Sequence, residues 1–469
     1  MVFSSYLFLF YFLPAALLLY YASPPRGRHL ILTIVSYVFY GWANPLFTPL
    51  LFLSTAIDYV AGGVIAGARG TRRARAALVV SLCSNLGLLG FFKYFNFGVD
   101  NLAALAEWLN LPALGLDAAL RVTLPLGISF YTFQSMSYTI DVYRGRAEPA
   151  RNFVDFACFV SMFPQLVAGP IIRYTDIADQ LRWRSHTIDK FTRGLAFLAV
   201  GLAKKVLIAN PCGKIADLAF EAGSREPLDA WYGAAAYAFQ IYFDFSGYSD
   251  MAVGLGLMLG FRFMKNFDSP YRAQSITEFW RRWHISLSTW LRDYLYVPLG
   301  GSRKGPRRTY VNLFIVMLLG GLWHGAAWNF VIWGALHGGL LAIERMRGKA
   351  ALYGRLPGPA RVAATFAIVL VTWVFFRSPG VPEALRYLGD MAGLGAPEAG
   401  AALLGGIVYQ PYYLMTFLAA AGIVWTAPQT WDWAESLNPR KALAATALML
   451  LSIAALTTQA YNPFIYFIF

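Results

Sequence analysis

Apolar runs approaching the ~20 residues that a helix needs to cross a hydrocarbon core recur from one end of the sequence to the other. They lie near residues 6–21, 30–44, 46–66, 77–92, 123–140, 152–172, 194–210, 229–260, 311–344, 362–376, 411–426 and 442–460. Two of them, 229–260 and 311–344, are overlong, so about 11 to 13 crossings are expected. No polar stretch is long enough for a soluble domain, and there is no internal repeat or low-complexity tract. The pattern predicts an all-α integral membrane protein forming one polytopic domain over residues 1–469.

The polar stretches carry the orientation signal. Basic loops at 26–28, 69–75, 144–151, 303–308, 345–361 and 440–441 are expected on the cytoplasmic side. The run from Tyr310 to Glu344 begins and ends beside such loops, so it must enter and return, with about 17 residues per limb. Gly320, Gly321, Gly325, Gly334, Gly338 and Gly339 within it predict re-entrant or tightly packed half-helices lining a cavity, where irregular backbone is tolerated. The same counting fails between 151 and 193: either 152–172 is a hairpin broken at Pro164 and Pro170, or the charge rule misleads there. The first run, with Arg26 and Arg28 only after it, reads as a retained anchor with its N-terminus outside. The last span leaves Arg440 and Lys441 inside and sends 461–469 to the outer face. From Arg262 to Arg308 there are ten Lys and Arg against three Asp and Glu, threaded with Trp280, Trp283, Trp290, Tyr294 and Tyr296. Amphipathic helices at or just below the cytoplasmic interface fit that composition.

Composition agrees with this picture. Of 469 residues 58% are hydrophobic and 14% charged, and the mean hydropathy is +0.49. The net charge of +14 sits in short loops such as Arg69–Arg75, so it indicates topology rather than nucleic-acid binding. Cys83, Cys158 and Cys212 are isolated and read as packing residues. A GxSxG elbow, a Walker A sequence, an H-x4-D pairing and a His/Cys cluster at metal spacing are all absent, which excludes serine-hydrolase, NTPase and zinc chemistry as expectations.

Five histidines remain. His29 and His186 lie in or beside basic loops, are expected to have no acidic neighbours and read as ordinary loop residues. His324, in Gly-Gly-Leu-Trp-His-Gly-Ala-Ala-Trp, stands in an apolar run, where an ionisable ring is costly unless it faces a cavity. A near-neutral imidazole is suited to draw a proton from a hydroxyl attacking an acyl carbonyl, and the nearby glycines would admit a substrate closely. A hydrogen-bonded packing histidine is the bland alternative. His337 would point about 220° away from His324 on a continuous helix, so joint action requires a break. His284 follows Glu278-Phe-Trp-Arg-Arg-Trp; Trp280 and His284 would share a helix face, with Glu278 pairing Arg281 or Arg282. Asp244 and Tyr248 share a face of another apolar run, where a buried acid marks either a pathway or an architectural pair with Arg272, Arg281 or another cation. The Gly254-x-Gly256-x3-Gly260 series reads as small-residue helix packing.

Several long strings resemble a known family: Met1-Val-Phe-Ser-Ser, Leu124-Pro-Leu-Gly-Ile-Ser-Phe-Tyr, Phe163-Pro-Gln-Leu-Val-Ala-Gly-Pro, Tyr242-Phe-Asp-Phe-Ser-Gly-Tyr-Ser-Asp, Thr277-Glu-Phe-Trp-Arg-Arg-Trp-His-Ile-Ser and Leu322-Trp-His-Gly. Over nearly the whole chain they are similar to the membrane-bound O-acyltransferases, in particular the bacterial alginate O-acetylation branch, with teichoic acid D-alanyl transfer as a cousin. The resemblance implies a ring of helices around a thin centre, open to the cytoplasm for an acyl donor and outward for an acceptor. It makes His324 the match of the family's catalytic histidine and His284 that of its second histidine. The terminal Asn462-Pro-Phe-Ile-Tyr466-Phe-Ile-Phe resembles an aromatic motif whose tyrosine carries the acyl group briefly; a phenol, with pKa about 10, leaves more readily than an alkoxide. An interfacial aromatic anchor is the alternative for Tyr466.

The expected activity is acetyl transfer from a cytoplasmic thioester, acetyl-CoA or an acyl carrier protein, toward an extracytoplasmic polysaccharide such as alginate. The expected location is the inner membrane, and the expected partner is a periplasmic SGNH-hydrolase-like acetyltransferase. Asp244, Trp323, Trp283, Arg281 and Arg282 are the expected substrate-binding residues, with no metal and no tightly bound cofactor. The basic 262–308 region would meet the acidic donor. A transporter or flippase using His324 and Asp244 as a proton relay, or a non-catalytic scaffold for polymer export, are the rival readings.

Overall fold

The structure is a computed structural model that describes residues 1–111, 121–348, 351–395, 401–459, 461–463 and 465. Among the described residues there are helices, turns and extended links but no strand. They gather into two compact units, residues 1–187 with 259–263, and residues 188–258 with 264–469.

The first unit contains α1 (Leu7–Ala22), α2 (Arg28–Gly41), α3 (Thr48–Gly67), α4 (Arg72–Trp108), α5 (Ile128–Tyr143), α6 (Phe153–Ser161) and α7 (Tyr174–Arg182). Side chains that satisfy the first free N–H groups define two of these starts: Thr71 accepts from Ala74 N–H at α4, and Asn152 from Asp155 N–H at α6. The apolar run 152–172 is indeed broken, although the break falls at Met162, with only one helical turn, Phe163–Leu166, beyond it. Helices α3 and α4 meet around Asp58, which is fully buried and accepts from Asn85 Nδ2 (2.9 and 2.8 Å) and Ser81 Oγ (2.6 Å). One sequence expectation is corrected here. His29 does have an acidic neighbour: its Nδ1 lies 2.5 Å from Asp155, and Arg184 reaches its Nε2 at 2.6 Å. That partner is 126 residues away, so no local reading could find it.

The second unit holds α8 (Ile188–Glu221), α9 (Pro227–Met258), α10 (Ile276–Arg282), α11 (Ile285–Leu291), α12 (Gly305–His324), α13 (Trp328–Met346), α14 (Gly358–Arg377), α15 (Val381–Met391), α16 (Ala401–Val408), α17 (Pro411–Thr426) and α18 (Pro439–Thr458). The overlong run 229–260 forms a single helix, α9, of 32 residues. Its glycines serve contact with α8. A Cβ on Gly254 would stand 2.5 Å from the Gly194 carbonyl oxygen, and one on Gly247 would stand 2.7 Å from that of Gly201. Such backbone-to-backbone approach is how helices associate where lipid removes the hydrophobic drive.

The run 311–344 does enter and return. Helices α12 and α13, 20 and 19 residues long, form a hairpin turned at Gly325–Ala327. Four of its glycines, Gly321, Gly325, Gly334 and Gly338, are taken up by packing: a side chain on Gly321 would strike the Phe330 carbonyl, and one on Gly325 the Phe330 ring, whereas Gly339 has open space around it. The basic 262–308 stretch forms the two seven-residue helices α10 and α11 followed by a π-helical turn at Arg292–Tyr296. Five helices among the described residues are long and apolar enough to cross a membrane: Pro45–Gly67, Arg72–Trp108, Ile188–Glu221, Gly358–Arg377 and Pro439–Thr458.

Because the α8–α9 contact leaves no room for a branch, Gly254→Leu should lower the thermal midpoint of the detergent-purified protein, since overpacking costs about 1–3 kcal/mol. Gly87→Leu, at a position with open space around it, should leave that midpoint unchanged. Equal midpoints for both variants in a melting assay would contradict the packing argument.

Candidate active site

His324 is the last residue of α12, where the helix gives way to extended backbone at Gly325. Its imidazole is only 7% exposed, yet it lines a cavity of about 540 Å³. Three aromatic rings surround it, with centroids 5.1 Å (Trp323), 5.3 Å (Trp333) and 5.1 Å (Phe376) away. The cavity wall otherwise combines apolar side chains of α11, α12 and α13 with the hydroxyl-bearing Thr277, Ser288, Thr289 and Ser302 and three guanidinium-bearing residues, Arg281, Arg292 and Arg345. Arg281 has no carboxylate partner among the described residues, Arg292 is held by Asp293 at 2.7 Å, and Arg345 reaches Ser302 Oγ at 3.4 Å. The cavity therefore has a cationic side and an imidazole inside it.

His284 is fully buried and lies with its ring centroid 6.5 Å from that of His324. It does not continue α10, as the expected Trp280–His284 helix face required. The helix stops at Arg282, and His284 adopts φ 42° and ψ 56°, a left-handed conformation that is costly for a residue with a Cβ. Two backbone bonds hold the turn: Ile285 N–H donates to Asn266 O (2.9 Å) and Asp268 N–H to Arg282 O (2.9 Å). The ring packs edge-on against Phe245, 4.6 Å away, and its Nδ1 lies 3.2 Å from Asn266 Oδ1.

Trp280 pairs instead with His337. Its indole N–H donates to His337 Nδ1 (3.2 Å), while His337 Nε2 bonds Thr372 Oγ1 (3.0 Å). The Thr372 hydroxyl donates to Val369 O (2.8 Å), so it accepts from His337 Nε2–H. The chain break that joint action required is present at Gly325–Ala327. Even so, both nitrogens of His337 are committed, and Trp333 lies between the two rings, 5.3 Å from His324 and 4.9 Å from His337.

The remaining expected residues divide. Trp323 stands beside both site histidines, 5.1 Å from His324 and 6.3 Å from His284. Arg281 lines the cavity, whereas Arg282 is turned to Glu278 (2.7 Å) and the Asp268 carbonyl (3.2 Å). Trp283 is buried among Phe267, Phe279 and Trp373, at 5.1, 5.6 and 5.1 Å. Asp244 is not in the cavity lining. It is paired at 2.6 Å with Lys205, in the π-helical turn of α8, and both side chains are almost wholly buried. Neither Arg272 nor Arg281 holds it, because Arg272 donates to the carbonyls of Val424 (2.8 Å) and Ala427 (2.6 Å).

The ion pair secures the C-terminal segment. Ile465 N–H donates to Asp244 (3.1 Å), Lys205 Nζ to the Pro463 carbonyl, and Asn210 Nδ2 to Tyr461 O (3.2 Å). The Tyr461 hydroxyl donates to Asp217, which Arg377 holds at 2.6 Å. Tyr466 lies outside the described residues. Among those residues no group of three or more His, Cys, Asp or Glu gathers as metal ligands would. Sequence reasoning missed Asn266, Trp333, Phe376, Arg292 and Arg345, which reach the site from separate segments with no spacing in common.

Comparison with known proteins places this geometry in context. Residues 146–375 match the family model described as membrane-bound O-acyltransferase. A probable alginate O-acetylase of Pseudomonas putida is 46% identical, with 100% of each chain covered. A peptidoglycan O-acetyltransferase of Helicobacter pylori is 38% identical over 84% of this chain and 80% of its own. A teichoic acid D-alanyltransferase of Bacillus subtilis is 27% identical over 46% of this chain and 58% of its own.

Lys205→Met would leave Asp244 charged and alone in the interior, a loss of about 3–5 kcal/mol. The variant should melt well below the wild type and should expose the C-terminal segment to carboxypeptidase. The double change Lys205→Met, Asp244→Asn should recover much of the midpoint, and a double variant as unstable as the single one would refute the assignment.

Proposed function

Because this chain belongs to the membrane-bound O-acyltransferase family and is an acyltransferase of polysaccharide O-acetylation, we propose that its 540 Å³ cavity receives the thioester end of the acyl donor and that His324 is the base of the transfer. The observation that carries this reading is the pairing of one cavity-lining imidazole with a cationic wall of Arg281, Arg292 and Arg345. Acetyl-CoA and acylated carrier proteins both present phosphate beside a thioester arm. Guanidinium groups bind phosphate oxygens in pairs and favour such a donor over a neutral one.

In this reaction the acceptor oxygen attacks the thioester carbonyl carbon while its proton passes to the neutral His324 ring. The carbon–sulfur bond then breaks, and the thiolate takes the proton back, which leaves an ester, a free thiol and the original imidazole. Proton transfer by a positioned group contributes about 10²–10⁴ in rate. The rings of Trp323, Trp333 and Phe376 pack around His324 and leave little room for water beside the base, which disfavours hydrolysis of the thioester.

The finer points of the reading follow from the basic loops. The cavity opens to the cytoplasm at the inner membrane, the whole chain of 469 residues acts as one polytopic domain with both termini outside, and the acetyl group leaves outward to the polymer. The outer steps use Tyr466 as a transient carrier and an SGNH-hydrolase-like partner as recipient. A transport reading is disfavoured by the Lys205–Asp244 pair, which occupies the carboxylate that a proton relay with His324 would need.

Membranes carrying His324→Ala should lose acetyl transfer from labelled acetyl-CoA to polymer by about 10²-fold or more, with an unchanged melting midpoint. A folded variant with wild-type transfer would remove the mechanism. Tyr466→Phe should halt labelling of the polymer and, with no phenol to take the acyl group, thiol release from the donor as well; unaltered polymer labelling would leave Tyr466 an anchor.

A further inference from the structure

The second histidine of the site is set by a residue on a different segment. Asn266 is buried and bonds to three groups around His284. Its Oδ1 accepts from the Ser286 backbone N–H (3.2 Å) and from the Ser286 hydroxyl (2.8 Å), and it lies 3.2 Å from His284 Nδ1. A backbone N–H can only donate, so the atom facing it is the amide oxygen and not the amide nitrogen. An oxygen that only accepts in turn calls for a proton on His284 Nδ1, and the Ser286 hydroxyl 3.3 Å from that nitrogen, its own proton given to Asn266, is likewise left to accept from it. The amide nitrogen is engaged elsewhere, with Ser249 Oγ at 3.0 Å.

The opposite ring nitrogen is left with a lone pair. His284 Nε2 is buried and has no hydrogen-bond partner among the described residues. Its surroundings are the rings of Phe245 (4.6 Å), Trp323 (6.3 Å) and His324 (6.5 Å). Burying a polar atom without a partner costs about 1–3 kcal/mol, and the left-handed backbone of the same residue adds to the cost. Two unfavourable features in one residue, held in place by Asn266 through its side chain and its backbone carbonyl, indicate a ring kept ready for a group that arrives during the reaction.

We infer that Asn266 is the positioning residue of this acyltransferase: it fixes His284 in the Nδ1–H form, so that the Nε2 lone pair stays available to accept a hydrogen bond from the acceptor hydroxyl as it enters, before that hydroxyl turns its single proton to His324. The inference rests on the proposed role of His324. Asn266 touches no substrate and acts through His284. With the amide oxygen absent, the ring is free to carry its proton on Nε2, which offers a donor where an acceptor is needed.

Two substitutions in the full-length protein, assayed in membrane vesicles by thiol release from acetyl-CoA with a hydroxylated acceptor, test it. Asn266→Leu removes the acceptor; kcat should fall about 10–100-fold while the KM for acetyl-CoA stays within about twofold. Asn266→Asp keeps an acceptor at Nδ1–H and remains informative if the leucine variant fails to fold. Its carboxylate stabilises the imidazolium, so the pKa of His284 rises and the ring stays protonated to higher pH. The acid limb of the kcat profile should therefore move up by about one pH unit, with activity regained above it. A merely structural role would not move that limb. If Asn266→Asp has the wild-type profile and Asn266→Leu the wild-type kcat, while His284→Gln is inactive, the positioning role is wrong and the site stands. If His324→Ala still transfers acetyl groups, the reading beneath it fails instead.

Discussion

Taking a polar atom out of water costs free energy unless a partner goes with it, and this constraint sorts the ionisable groups of the second unit. His337 has both nitrogens bonded, Asp244 has Lys205, and Glu344 accepts from the N–H groups of Ile276 and Thr277 at the start of α10. Each of these groups is paid for within the fold. The two histidines near the cavity are arranged differently: one faces open volume, and the other keeps a nitrogen unbonded among aromatic rings.

The hairpin of α12 and α13 was legible in the sequence because two independent signals agreed on it, basic loops at both ends and glycines in between. His324 was legible for the same reason, since an ionisable ring in an apolar run has few inexpensive uses. The run 229–260 reads only as overlong, and length alone does not say whether it turns or continues as one helix. Its small residues let the backbone approach α8 closely, and nothing in a hydropathy pattern distinguishes a glycine at a turn from one at a helix contact.

Other parts depend on contacts between distant segments. Asp244 and Lys205 are 39 positions apart, on two different helices. The sequence limits a buried acid to some cation without saying which. The Trp280–His284 face failed because a single left-handed residue ends one helix and starts another, a conformation uncommon for residues other than glycine. Asn266 carried no signal at all, since its importance lies in one oxygen facing a ring 18 residues further on. The aromatic cluster around the site was visible as composition, but its division into cavity wall and core, Trp333 against Trp283, is decided by packing.

The C-terminal segment has a consequence for biogenesis. Lys205 finds its carbonyl partner 258 residues later and Asp244 its N–H partner 221 residues later. At roughly 5–20 residues per second of synthesis, α8 and α9 wait on the order of tens of seconds in the insertion machinery before those bonds can form. Until then Asn210 and Asp217 also lack the partners supplied by Tyr461. Ribosomes that stall or terminate before residue 461 would release a chain with an open seam in its second unit, a recognisable mark for membrane quality-control proteases.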